Sequence, residues 1–131
     1  MAHASSIRVA ARYADSQKRV VVRIVAPVDG MYTVAAFSGR KRVGQLTWGQ
    51  SGPSCPIGEI WVLPEYQRQE IGRALILAAH QKCMRVFHLP LSSSGIVSDQ
   101  LEGLFKKMEA RGEARWDEDL GWRGEYVMLG V

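Results

Sequence analysis

The sequence predicts an α/β (α+β) protein, with a mixed, mainly antiparallel central sheet flanked by helices in a single domain. Two features carry this expectation. Between Arg19 and Leu63, β-branched and aromatic residues come in short runs separated by turn residues, and after Pro64 the apolar spacing changes from two to 3.6. The length of 131 residues adds a third. It suits one domain, spanning 1–131, that buries about two thirds of the surface its unfolded chain exposes.

The elements follow in order. Residues 1–18 are small or polar and weakly patterned, and read as a loose N-terminal arm. RVVVRIV from Arg19 is a first strand that ends at Pro27, and Asp29-Gly30 marks a turn. Tyr32–Phe37 and Val43–Trp48 are further strands across a tight Ser38–Lys41 connection, and Ile57–Leu63 is a fourth, stopped by Pro64. In the segment from Glu65 to Met84, Ile71, Leu75, Ala78 and Ala79 form one helical stripe. Val86–Leu91 reads as a short fifth strand. Ser98 is an N-cap for a second helix, whose apolar face is Leu101, Leu104, Phe105 and Met108, and Gly112 closes it. A polar, acidic stretch from Trp116 to Asp119 leads into a last strand, Tyr126–Leu129.

Composition narrows the function classes. Hydrophobic residues make up 47% of the chain, too many for a disordered protein. No apolar run approaches the ~20 residues of a membrane span, and the first twenty residues lack the apolar block of a secretory signal. Cys55 and Cys83 offer no CxxC spacing and read as packed thiols in a reducing, cytoplasmic setting. His3, His80 and His88 are too scattered for a metal site. Residues 1–45 hold eight Lys/Arg against two acids, a balance of +6, within a net charge of +4. Such a face attracts acidic or phosphorylated partners, or is simply solvated. No helix-turn-helix, zinc or RNA-binding pattern accompanies it.

The most informative stretch is EIWVLPEYQRQEIGRAL, from Glu59 to Leu75. A strand runs into Pro64, and a turn then opens a helix that carries a glycine near its start. Unpaired N–H groups and the dipole at a helix N-terminus hold phosphate, and glycine permits close approach. Arg68 and Arg73 are nearby cations.

VLPEYQRQEIGRAL resembles the acetyl-CoA-binding signature of the GNAT-type N-acyltransferase superfamily: a strand ending in V-x-P, then Arg/Gln-x-x-Gly-x-Gly/Ala, then an apolar helix. Gln67 takes the Arg/Gln position and Gly72 the last Gly/Ala. The element order agrees over residues 20–131. The resemblance implies that backbone groups of Trp61, Val62 and Leu63 pair with the pantetheine arm. It also implies that the amides of Gln67, Arg68, Gln69, Glu70, Ile71 and Gly72 hold the pyrophosphate, with Arg73 beside them. The implied reaction is direct attack of an amine on the thioester, with Glu59 as the base. The cofactor is acetyl-CoA as co-substrate, and the acceptor is a primary amine of a small molecule or a protein.

Two positions depart from the pattern. Glu70 stands where the first glycine belongs, placing like charge at a phosphate loop. Met108 stands where the family often carries a tyrosine that protonates the leaving thiolate, which directs attention to Tyr126 as a substitute. The stretch before the second strand also leaves little room for the helices that usually shape the acceptor site. Trp48, Trp61, Trp116 and Trp122 are candidates to line that site or to pack, and Asp117–Asp119 to attract a cationic amine. The alternative to an enzyme is a GNAT-like module that binds a protein or nucleic acid without catalysis. An exposed edge strand and the tryptophans are compatible with a homodimer.

Overall fold

The computed structural model describes residues 7–10, 19–67, 70–95 and 98–130. Eight strands form one sheet: β1 (Ile7–Ala10), β2 (Arg19–Val28), β3 (Met31–Ser38), β4 (Lys41–Trp48), β5 (Cys55–Val62), β6 (Leu91–Ser92), β7 (Ala114–Asp117) and β8 (Glu125–Met128). Two helices, α1 (Ile71–Phe87) and α2 (Asp99–Ala110), pack on it, and a short 3₁₀ turn spans Pro64–Tyr66. The strand order is β1-β2-β3-β4-β5-β6-β8-β7, antiparallel throughout except for the β5–β6 pair.

The alternation of apolar and polar residues in β2–β5 puts one set of side chains under α1. Val20, Val22, Val34, Ala36, Leu46 and Trp48 are fully buried there with Ile71, Leu75 and Ile76 of the helix. Each of the larger side chains contributes about 1.5–3 kcal/mol by leaving water. α2 buries Leu101, Phe105 and Met108, and Phe105 stacks on Tyr126 of β8 at 5.4 Å between ring centroids. The Ser98 hydroxyl accepts from Leu101 N–H at 3.2 Å, the expected cap, and Gly112 takes φ +76° just beyond the helix.

Four expectations change. Ile7–Ala10, read as part of a loose arm, is a strand whose backbone pairs with β2 in the register Ile7↔Val22 to Ala10↔Arg19. Val86 and Phe87, read as strand, extend α1 instead. Phe87 packs edge-on against Tyr32 at 5.5 Å, and the helix stops at His88, which is left-handed. Only Leu91–Ser92 remains as strand, so the β-branched Val86 yields to the packing of its helix. The main helix begins at Ile71 rather than soon after Pro64, because a 3₁₀ turn intervenes. Trp116 and Asp117, read as an acidic connection, belong to β7, where Trp116 pairs with Tyr126 and Asp117 with Glu125.

Candidate functional site

The site is built where the sheet loses its pairing. β5 and β6 are joined only at Cys55↔Leu91 and Pro56↔Ser92. Beyond Pro56 the β6-facing edge of β5 has no strand partner among the described residues. Leu63 N–H donates to the Val43 carbonyl at 2.8 Å, which sets the phase of the β4–β5 ladder. In an antiparallel pair the residues alternate between facing the partner and facing away. The backbone groups of Glu59 and Trp61 therefore face β4, and those of Ile60 and Val62 face the open edge. The side chain of Gln67 agrees: its Nε2 donates to the Val62 carbonyl at 2.9 Å, from outside the sheet. What stays open on this edge is the N–H and C=O of Ile60 and the N–H of Val62. Of the three residues expected to pair with a ligand, Val62 offers an outward N–H, whereas Trp61 and Leu63 direct theirs into the sheet.

A cleft of about 380 Å³ opens beside this edge. Its walls are Ile60–Val62 of β5, Gln67, Glu70, Gly72 and Arg73 at the start of α1, and residues 98–101, 103, 104 and 107 of α2 and its cap. α1 enters this space without a side-chain cap, from Glu70 at φ 59° and ψ 23°. Its first helical hydrogen bond is Ala74 N–H to Glu70 O, so the N–H groups of Ile71, Gly72 and Arg73 lie outside the helical ladder. The helix dipole makes that end positive. A Cβ at Gly72 would come within 3.0 Å of Leu104 Cδ2, so α2 rests directly on the first turn of α1.

Two ion pairs join the start of α1 to the residues just after α2. Arg73 makes a two-pronged bond to Glu113, with Nε 3.1 Å from Oε1 and a second, shorter contact from its terminal nitrogen to Oε2. The hydrogen bond from Arg73 holds the Glu113 carboxyl below the usual range, against its desolvation. Arg111 pairs with Glu70 at 3.2 Å. Lys107, on the cleft wall, has no ion-pair partner among the described residues.

Neither of the expected catalytic residues, Glu59 and Tyr126, lines this cleft. Val62 shares the α1 face of the sheet, since its Cγ2 and Leu75 of α1 both lie within about 3.4 Å of the Cβ position of Gly44. By alternation Trp61 and Glu59 occupy the opposite face. Glu59 is exposed there and does not line the cleft. Tyr126 packs between Phe105 and Trp116, outside the cleft lining. Burial first, then Glu109 and Glu102, push its phenol above the usual tyrosine range. Met108 is fully buried core. Among the tryptophans, Trp48 is core, Trp61 lines the cleft, Trp116 packs edge-on against Tyr126, and Trp122 is 84% exposed beneath Arg123. Arg68 and Gln69 lie outside the described residues. The α2 stripe of Gln100, Gly103, Leu104 and Lys107 is the part of the cleft that sequence reasoning missed. Its spacing of i, i+3, i+4 and i+7 was the available signal.

Cys55 and Cys83 are free and buried, and burial pushes both thiols up. Among the described residues no cluster of His, Cys, Asp and Glu could hold a metal ion, and no helix is long and apolar enough to cross a membrane.

Comparison with known proteins agrees with this architecture. The family model described as the acetyltransferase (GNAT) family matches residues 7–91. Among solved structures, the PaiA N-acetyltransferase of Thermoplasma acidophilum, crystallised with coenzyme A, is 17% identical with a TM-score of 0.55. The alignment covers 77% of this chain and 61% of that one. A GCN5-related N-acetyltransferase from Rhodopseudomonas palustris, whose name also includes a class-II aminotransferase, is 24% identical with a TM-score of 0.51. That alignment covers 76% of this chain and 60% of the other. At such identities the likeness is one of fold, and the chain spans about three fifths of the length of each. No curated protein matches it.

Proposed function

Since the chain belongs to the GNAT family of acetyltransferases, we propose that it is an N-acetyltransferase that takes its acetyl group from acetyl-CoA and delivers it to a primary amine. The observation that carries this reading is the unpaired edge of β5 running into the uncapped N-terminus of α1, inside one cleft. A linear chain of amides suits the first feature and a diphosphate the second. Ile60 and Val62 would bond the pantetheine amides, and the N–H groups of Ile71, Gly72 and Arg73 would face the diphosphate.

Acetyl-CoA, when bound, supplies an electrophilic thioester carbonyl: a C–N bond to the acceptor forms, the C–S bond breaks, and amide and thiol result. Glu59 lies on the sheet face opposite α1, so the amine approaches from the side away from the cleft. Its carboxylate takes the ammonium proton, directly or through one water. Tyr126, outside the cleft lining, is left as a packing residue, and the thiolate departs without a dedicated acid and takes its proton from water.

Calorimetric titration with acetyl-CoA, followed by an acetyl-transfer assay on a panel of small amines and lysine peptides, tests the proposal. Glu59→Gln is expected to bind acetyl-CoA as the wild type does and to lose about 10²–10⁴-fold in turnover. Tyr126→Phe is expected to retain turnover. A second reading, a binding module without turnover, rests on Glu70 at the phosphate loop. It predicts that no amine is acetylated even where acetyl-CoA binds.

A further inference from the structure

Among the described residues, the charges that the start of α1 brings to this cleft are already paired. The cation Arg73 is held by Glu113, and the anion Glu70 is held by Arg111. These two pairs cancel, which leaves Lys107 as the lining cation without an ion-pair partner among the described residues, with Asp99 the remaining charged residue of the wall. We propose that Lys107 of α2 is the cation that holds the diphosphate of the acyl donor, a proposal that rests on acetyl-CoA being that donor.

Its position follows from the contacts on either side of it. Leu104, one turn before, touches the first turn of α1 at Gly72. Arg111, one turn after, pairs with Glu70. Lys107 is therefore bracketed opposite the Glu70–Gly72 segment, about 4.5 Å along the α2 axis from Leu104. Lys107 is exposed and lines the cleft, so its ammonium is free to turn toward a ligand. Asp99, the acidic residue on the same wall, lies eight residues away at the opposite end of α2.

The alternative role for Lys107 is support of the α2 dipole from its last turn. The two roles separate on binding. Titration of CoA and of 3′-dephospho-CoA into the wild type, Lys107→Gln, Lys107→Arg and Lys106→Gln is the test, with thermal unfolding of each variant alongside. Lys106 is an exposed neighbour that does not line the cleft. Lys107→Gln is expected to bind both ligands roughly tenfold more weakly, with a shallower salt dependence. Lys107→Arg is expected to restore most of the loss, and Lys106→Gln to change nothing. Equal affinities for the wild type and Lys107→Gln would overturn the assignment. A loss seen with CoA but not with 3′-dephospho-CoA would also overturn it, by moving Lys107 to the 3′-phosphate. A wild-type protein that binds neither ligand would overturn the proposed function itself.

Discussion

Glu70 occupies a backbone conformation that glycine adopts freely, at φ 59° and ψ 23°. For an L-residue this costs about 1–2 kcal/mol. Substitution by glycine recovers that cost but adds about 0.5–1 kcal/mol of unfolded-chain entropy. It also removes a part-exposed pair to Arg111 worth less than about 1 kcal/mol. The terms nearly cancel, so Glu70→Gly is expected to stay within about 1 kcal/mol of wild-type stability. Its effect lies in binding. Loss of the carboxylate removes repulsion at the phosphate loop and frees Arg111, raising CoA affinity by roughly tenfold. Glu70→Asn separates charge from backbone, because asparagine tolerates the same conformation. Equal gains in both variants assign the effect to charge, and a gain in glycine alone assigns it to close approach. No gain in either would show that Glu70 does not hinder the ligand. The unusual residue was legible in the sequence. Its two consequences, a left-handed turn and a bond to Arg111 forty-one positions away, needed the fold.

At the scale of elements, the sequence pattern located every strand that has its own alternation, and both helices. It missed β1 and β7, short edge strands defined by their pairing partners more than by their residues. It ended α1 too early because Val86 and Phe87 satisfy strand propensity locally, while Tyr32, distant in sequence, decides for helix. The backbone phase of β5 was equally out of reach. Residue types do not say that Leu63 bonds Val43, and with a one-residue shift the open groups would be those of Trp61. His80 illustrates how an element is anchored by such distant contacts. Leu91 N–H donates to its Nδ1 at 3.2 Å, so Nε2 carries the proton and donates to Gly130 O at 2.9 Å. One neutral imidazole thus joins α1, β6 and the residues after β8. Burial lowers its pKa, only partly opposed by the Gly130 bond. The folded state therefore binds its proton less readily than the unfolded chain. The stability contribution is full above the unfolded value near 6.5 and is lost as pH falls below it, by up to about 1.4 kcal/mol per pH unit. Unfolding midpoints between pH 7.5 and 5.5 should fall more steeply in the wild type than in His80→Gln. Parallel slopes would remove His80 from the account.

Taken whole, the molecule is a sheet with a seam. β1–β5 carry α1, and β6–β8 carry α2, yet the two halves share only two strand pairs at Cys55 and Pro56. Small bonds reinforce the seam: Cys55 N–H to Pro90 O at 2.8 Å, and the buried Ser54 and Ser92 hydroxyls at 3.0 Å. Above it the halves meet again through Leu104 on Gly72 and the pairs Arg73–Glu113 and Glu70–Arg111. The cleft lies between these two sets of contacts, so a ligand that bonds Ile60 and Val62 on one side and Lys107 on the other would bridge both halves. Binding only to the folded state adds RT ln(1 + [L]/Kd), about 2.7 kcal/mol at a hundredfold excess over Kd. For a domain of this size that corresponds to roughly 10 °C in unfolding midpoint. A bridging ligand should also redistribute protection. Amides of α2 and β8 are expected to exchange through partial opening without CoA and to approach the slower exchange of β3 and β4 with it. A shift in midpoint with unchanged exchange in α2 would place the ligand on the β5–α1 half alone, and the seam would then be a feature of the fold with no part in binding.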